Sequence, residues 1–135
     1  MPITRTAIPE HHRVTESAKQ FGLHFPLQVE PTIYHTADRL SDDYHGGYWE
    51  FWLLSNRGFY MAPTYPSKFA VTSDNVFDGS LSADAFGIVV CLYAYSQLSF
   101  EADAPLVNAV SEHYRRLRAY AFEHKEVEAI LRAID

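Results

Sequence analysis

The side chains of this chain that could do chemistry are seven histidines, two aspartate clusters, two serines around a leucine, one cysteine, a glycine pair and a group of arginines. A metal site is the first possibility they raise. His11 and His12 are adjacent and project to different sides of a helix, which is poor chelating geometry. His35, His45 and His113 stand alone, and neither HExxH, HxH nor CxxC occurs. A structural zinc site needs four well-spaced N or S ligands, which this pattern does not supply. Cys91 is the single cysteine of the sequence, so no internal disulfide can form, and in its apolar run it reads as a buried, inert thiol in a reducing compartment. Ser80 and Ser82 flank Leu81 outside any G-x-S-x-G elbow. Asp42 with Asp43, and Asp74 with Asp78, could work as acid–base pairs, but both fall in predicted turns, where short carboxylates bond backbone N–H groups. Gly46-Gly47 lacks the spacing that cradles phosphate. The reading is no catalytic residue, no metal and no cofactor.

Binding is the other possibility. Arg115, Arg116 and Arg118, with Lys125 and Arg132 downstream, form the basic concentration of the chain. They lie among Glu112, Glu123, Glu126 and Glu128, the pattern of a solvated, salt-bridged helix face; contact with nucleic acid through the three arginines is the alternative. Net charge is −6, so no overall positive field draws the chain to nucleic acid or anionic lipid. Tyr48, Trp52 and Tyr60 could stack bases, yet the RNA-binding pattern of basic and aromatic residues is missing, which favours core or interface duty.

These residues must be positioned by a single core. The chain has 135 residues, 47% hydrophobic and 21% charged, enough for one domain over 9–135 after a flexible lead-in at 1–8. A helix is predicted over 9–21 with a narrow stripe of Val14, Ala18 and Phe21, then a second whose stripe is Val29, Ile33, Ala37, Leu40 and Tyr44. Pro31 is tolerated there only if that helix starts near 28–30. Residues 43–63 have hairpin grammar: Gly46 and Gly47 punctuate the approach, an aromatic run follows, Asn56, Arg57 and Gly58 make a turn, and Phe59 runs back to Pro63. Residues 68–72 alternate as a third strand expected to pair with the second, and 73–79 reads as a loop or short fourth strand. Ser82 looks like an N-cap with Asp84 in the first turn, opening a helix over 83–98 that is apolar nearly all round and hence central. After Pro105, Leu106, Val110, Tyr114, Leu117 and Ala121 stripe a further helix, and a short amphipathic one closes the chain. The predicted architecture is α+β: a small antiparallel three- to four-stranded meander packed against a central buried helix with several flanking helices. The central run is short of the ~18 apolar residues a bilayer span requires. A cytoplasmic protein without membrane contact, monomeric or weakly dimeric, is expected.

Two blocks carry a resemblance. Leu40-Ser41-Asp42-Asp43-Tyr44-His45-Gly46-Gly47-Tyr48-Trp49-Glu50-Phe51, continued by Leu54-Ser55-Asn56 and Gly58-Phe59-Tyr60-Met61-Ala62-Pro63, resembles the signature of the antirestriction proteins typified by ArdB and KlcA. Leu81-Ser82-Ala83-Asp84-Ala85 with Gly87-Ile88-Val89 is similar to the opening of that family's central helix. The chain departs from the family at Trp52-Leu53 and at Arg57, where glycine is usual. The resemblance implies a non-catalytic protein of mobile elements that protects incoming DNA by blocking type I restriction–modification enzymes. A charge of −6 with interspersed cations is too weak to imitate a phosphate rail of one charge per ~1.7 Å. The implied partner is therefore the restriction enzyme complex, contacted through Asp42, Asp43, Tyr44, His45, Gly46, Gly47 and Tyr48 and through the turn Asn56, Arg57 and Gly58. A nucleic-acid-binding accessory protein of a mobile element is the alternative.

Overall fold

The computed structural model describes residues 2–74 and 76–135. In chain order they form β1 (Arg5–Ala7), a 3₁₀ turn (Glu10–His12), α1 (Arg13–Phe21), a π-helical turn (Phe25–Val29), α2 (Glu30–Leu40), β2 (Trp49–Leu54), β3 (Phe59–Pro63), β4 (Lys68–Thr72), β5 (Asp78–Ser82), α3 (Ala83–Glu101), α4 (Ala104–Ala121) and α5 (Val127–Ile134). The expected α+β class holds. Pro31 falls in the first turn of α2, and Val29, Ile33, Ala37 and Leu40 are buried as their spacing requires, whereas Tyr44, expected on the same stripe, lies past the end of the helix and is half-buried.

Helix α3 starts where the capping signals put it: Ser82 Oγ accepts the Ala85 N–H at 3.1 Å, and Asp84 complements the positive end of the helix. The helix is buried from Ala85 through Leu92 and again at Ala94, Tyr95 and Leu98. Its placement against β3 decides the sheet. Leu54 N–H bonds Gly58 O at 2.9 Å and Thr64 N–H bonds Tyr48 O at 3.0 Å, so by strand alternation the peptide groups of Phe59 and Met61 face away from β2. Side chains of α3 meet them. Tyr95 donates its hydroxyl to Phe59 O at 2.6 Å, Met61 N–H points to Cys91 Sγ at 3.5 Å, and the thiol lies 3.4 Å from Met61 O. Pro63 has no N–H to satisfy. Gly87, one turn before Cys91, makes the approach possible: a Cβ there would stand 2.5 Å from Ala62 Cα and 2.6 Å from Met61 O.

That sealed edge corrects the expected meander. β4 does not pair with β3; it pairs antiparallel with β5, from Lys68↔Ser82 to Thr72↔Asp78. The loop expected over 73–79 thus ends in a fourth strand, with Asn75 outside the described residues.

The third strand of the main sheet is β1, in the order β1-β2-β3. The expected flexible lead-in is corrected accordingly, with Met1 outside the described residues. Ser55 N–H bonds Thr4 O and Ile8 N–H bonds Phe51 O, each at 2.8 Å, while Ile8 enters the core. The Arg5 guanidinium lies 3.7 Å over the Trp52 ring. In the hairpin turn, Arg57 has φ 73°, the left-handed region that glycine adopts without strain.

On α4 the inward positions are Leu106, Val110, His113, Leu117 and Ala121. His113 takes the place expected of Tyr114, because steps of three and four alternate along a buried stripe. The imidazole is 2% exposed, 4.7 Å from the Phe21 ring and 6.0 Å from Tyr95. Burial, helped by Arg116, pushes its pKa down from 6.5 to about 4.

Three outcomes follow from this packing. Gly87→Ala lowers stability by about 2–3 kcal/mol in urea unfolding although alanine is the better helix former, because the added methyl meets backbone. Arg57→Gly raises stability by about 1 kcal/mol by relieving the left-handed strain. Because folded His113 resists protonation and the unfolded residue does not, stability is full above pH 6.5 and falls as pH drops to about 4, by about 3 kcal/mol in all. His113→Phe removes that share of the slope in denaturant titrations run across the same window.

Candidate interaction site

Ser41 ends α2 and its hydroxyl binds two ways, donating to Ala70 O at 2.6 Å and accepting the Asp43 N–H at 3.1 Å. Asp43 returns to the same strand, its Oδ2 accepting Ala70 N–H at 2.8 Å. The approach to the hairpin is thereby tied to β4. Tyr44 is half-buried and accepts the Trp49 indole N–H at 3.2 Å. Gly46 and Gly47 turn the chain with φ 86° and 108°, a conformation side chains resist. Asp42, His45, Gly47 and Tyr48 are exposed.

The turn has a separate address. Asn56 donates to Arg116 O at 2.9 Å and accepts the Gly58 N–H at 3.0 Å. A Cβ on Gly58 would crowd Leu54 Cδ1 at 2.8 Å and Arg116 Cβ at 3.1 Å. Strand β2 separates the two sets by roughly 20 Å at ~3.4 Å per residue, so residues 42–48 and 56–58 are two surfaces at opposite ends of one hairpin. The turn instead adjoins the basic face of α4. There Arg115 and Arg116 both pair with Glu112, and Arg118 pairs with Asp135 at 2.9 Å. None of the three arginines is left without a carboxylate.

Two features escaped sequence reasoning. The first is a cleft of about 480 Å³ beside Gly47 and Tyr48, walled by Phe25, Tyr34, Tyr48 and Phe51 and crossed by Arg13. The Arg13 guanidinium lies 4.8 Å from the Tyr48 ring centre and 4.5 Å from that of Phe51, and its Nη2 donates to the Tyr48 hydroxyl at 2.8 Å. The stripe expected on α1 is corrected here. Ser17 and Phe21 face inward, whereas Val14 is 83% exposed and Ala18 is exposed too. An arginine in a thin helix gives no local hint that its partner Tyr48 is 35 residues away; the available signal is an apolar stripe too poor to be core.

The second is a polar hub at the start of α3. Asp84 Oδ1 accepts from Arg5 Nη1 at 2.6 Å and from the Tyr60 hydroxyl at 2.8 Å, while Oδ2 lies 2.9 Å from His124 Nε2. His124 Nδ1 accepts the Glu126 N–H at 3.0 Å, which leaves the ring proton on Nε2, directed at Asp84. Burial alone would raise the Asp84 pKa. The bonds from His124 and Tyr60 and the Arg5 charge outweigh it and hold the carboxyl below its usual range. Tyr60, buried against that carboxylate, is pushed far up and stays a donor. Ser82 bonds the Glu126 carboxylate with its hydroxyl and its N–H. The hydroxyl is therefore engaged by a carboxylate and the imidazole by another, an arrangement that fastens β1, β3, α3 and the α4–α5 connection together. Among the described residues, no group of three or more His, Cys, Asp and Glu could hold a metal ion.

The family described as antirestriction protein matches residues 42–135, beginning at the approach to the hairpin. Antirestriction protein KlcA of Escherichia coli is 42% identical over 138 residues, covering 99% of this chain and 94% of that protein. A second KlcA of the same species is 38% identical over 99% of this chain and 96% of its own length. A solved structure of KlcA and ArdB, described as a novel fold with antirestriction activity against type I DNA restriction systems in vivo but not in vitro, matches with TM-score 0.91 at 39% identity, over 100% of this chain and 96% of the other. Fold, length and sequence agree from end to end, and this chain belongs to the antirestriction protein family.

Proposed function

We propose that this chain relieves type I restriction of incoming DNA by non-catalytic contact with the restriction–modification complex inside the cell. The observation that carries the reading is the full-length match, TM-score 0.91 at 39% identity, to proteins with that activity in vivo. Charge supports contact over imitation of DNA. A net −6 spread among paired cations and anions offers no continuous anionic rail. Activity of the relative in vivo but not in vitro fits a step that needs the working complex in the cell, such as translocation or assembly, more than simple occupation of a DNA groove.

The contact surface in this reading is the approach Asp42, Asp43, Tyr44, His45, Gly46, Gly47 and Tyr48, with the turn Asn56, Arg57 and Gly58 as a second patch. Polar and aromatic loop side chains on a rigid scaffold suit recognition. Expression of the chain in a host with an active type I system raises the plating of unmodified phage toward that on a non-restricting host. Plating that stays at the restricted level for every type I family tried overturns the reading.

A further inference from the structure

The cleft between α1 and the start of β2 has the size of a binding site, and its walls are aromatic. Its rim is apolar and open: Val14 is 83% exposed, Leu23 79%, and Leu27 on the adjoining π-helical turn 73%. Val14 and Leu23 line the cleft itself, and Leu27 continues the exposed apolar surface next to it. The charges in it are unequal in their commitments. Glu30 accepts the Tyr34 hydroxyl at 3.0 Å. Glu10 also lines the cleft and makes no cap hydrogen bond with its side chain. Arg13 pairs with no carboxylate among the described residues, and its buried Nε has no hydrogen-bond partner. A guanidinium held against two aromatic faces, with no carboxylate at ion-pair distance among the described residues, is preorganised to donate to an incoming carboxylate. The cleft beside Asp84 differs, because Arg5, His124 and Asp84 there already satisfy one another.

We infer that this cleft docks a segment of a protein partner that presents an acidic side chain next to an aliphatic or aromatic anchor. The anchor enters between Phe25, Tyr34 and Phe51, the carboxylate meets Arg13 at the Tyr48 end, and neighbouring apolar residues cover Val14 and Leu23. A single cation set in an apolar wall suits a protein segment and not a nucleic-acid backbone, which demands a row of cations. The inference rests on the reading that the chain acts by protein contact, and it names the chemistry of what is contacted.

The test uses the full chain in cells with an active type I system, carrying a photo-crosslinking phenylalanine analogue at Val14 or Leu23, or at the exposed Phe100 of α3 as control. Adducts are expected at the first two positions and not at the control, with the captured protein peptide containing Asp or Glu within a helical turn of a large apolar residue. Arg13→Gln in either background, and Val14→Glu with the analogue at Leu23, cut adduct yield about tenfold, the loss that goes with a lost charge-assisted contact. Val14 is exposed, so Val14→Glu leaves the unfolding midpoint unchanged and keeps the test independent of folding. No adduct, an adduct to nucleic acid or to a second copy of the chain, a captured segment without an acidic residue, or a yield indifferent to both substitutions overturns the inference. Phage plating in the same cells separates the two claims: relief of restriction without the adduct removes the docking site alone, and an adduct without relief removes the antirestriction reading alone.

Discussion

The outer edge of β3 is closed by a helix instead of a strand, and most of the structure follows from that substitution. A buried peptide group without a partner costs about 1–3 kcal/mol, so the outward groups of Phe59 and Met61 need donors and acceptors from somewhere. Cys91 and Tyr95 provide them one and two turns beyond Gly87, and Gly87 lets the helix axis come near enough for the contacts to form. Burial pushes the Cys91 thiol up to about 12, so it serves as a weak polar neighbour of the backbone and not as a nucleophile. With that edge occupied, the sheet can grow only past β2, where β1 lies, and β4 must find β5.

The same geometry explains why the start of the chain is ordered. Three exposed residues make a poor strand by themselves. Arg5 reaches across β2 to Tyr60 and Asp84, stacking on Trp52 as it passes, and Asp84 also takes His124 from the far side. One carboxylate therefore gathers groups from both ends of the chain at the start of the central helix. Polar networks of this kind hold well only when every member is satisfied; here the His124 tautomer, the Ser82 cap and the Glu126 carboxylate complete the set.

What the sequence made legible was whatever depends on near neighbours. The stripe of α2, the N-cap at Ser82, the hairpin around Asn56 and the greasy circumference of α3 all rest on residues a few positions apart, and each is present. What it hid depends on distant pairs. No local pattern says that a thiol at 91 faces a carbonyl at 61, which is what sends β4 to β5; none says that Arg13 belongs over Tyr48, which is what turns Val14 outward. The proposed contact residues were legible as loop positions, but that 42–48 and 56–58 lie at opposite ends of a hairpin is a matter of strand length and direction. Arg57 holds a left-handed backbone that glycine would adopt without strain, which its place in a tight turn foreshadows.

Native-state hydrogen exchange at the Met61 amide tests the sealed edge most directly. This N–H points away from β2, toward the Cys91 sulfur at 3.5 Å. If α3 closes the edge, the amide exchanges only through global unfolding, with the same protection as the Trp52 and Tyr60 amides of the β2–β3 ladder. A Met61 amide that exchanges by local opening, well ahead of those two, would contradict the account.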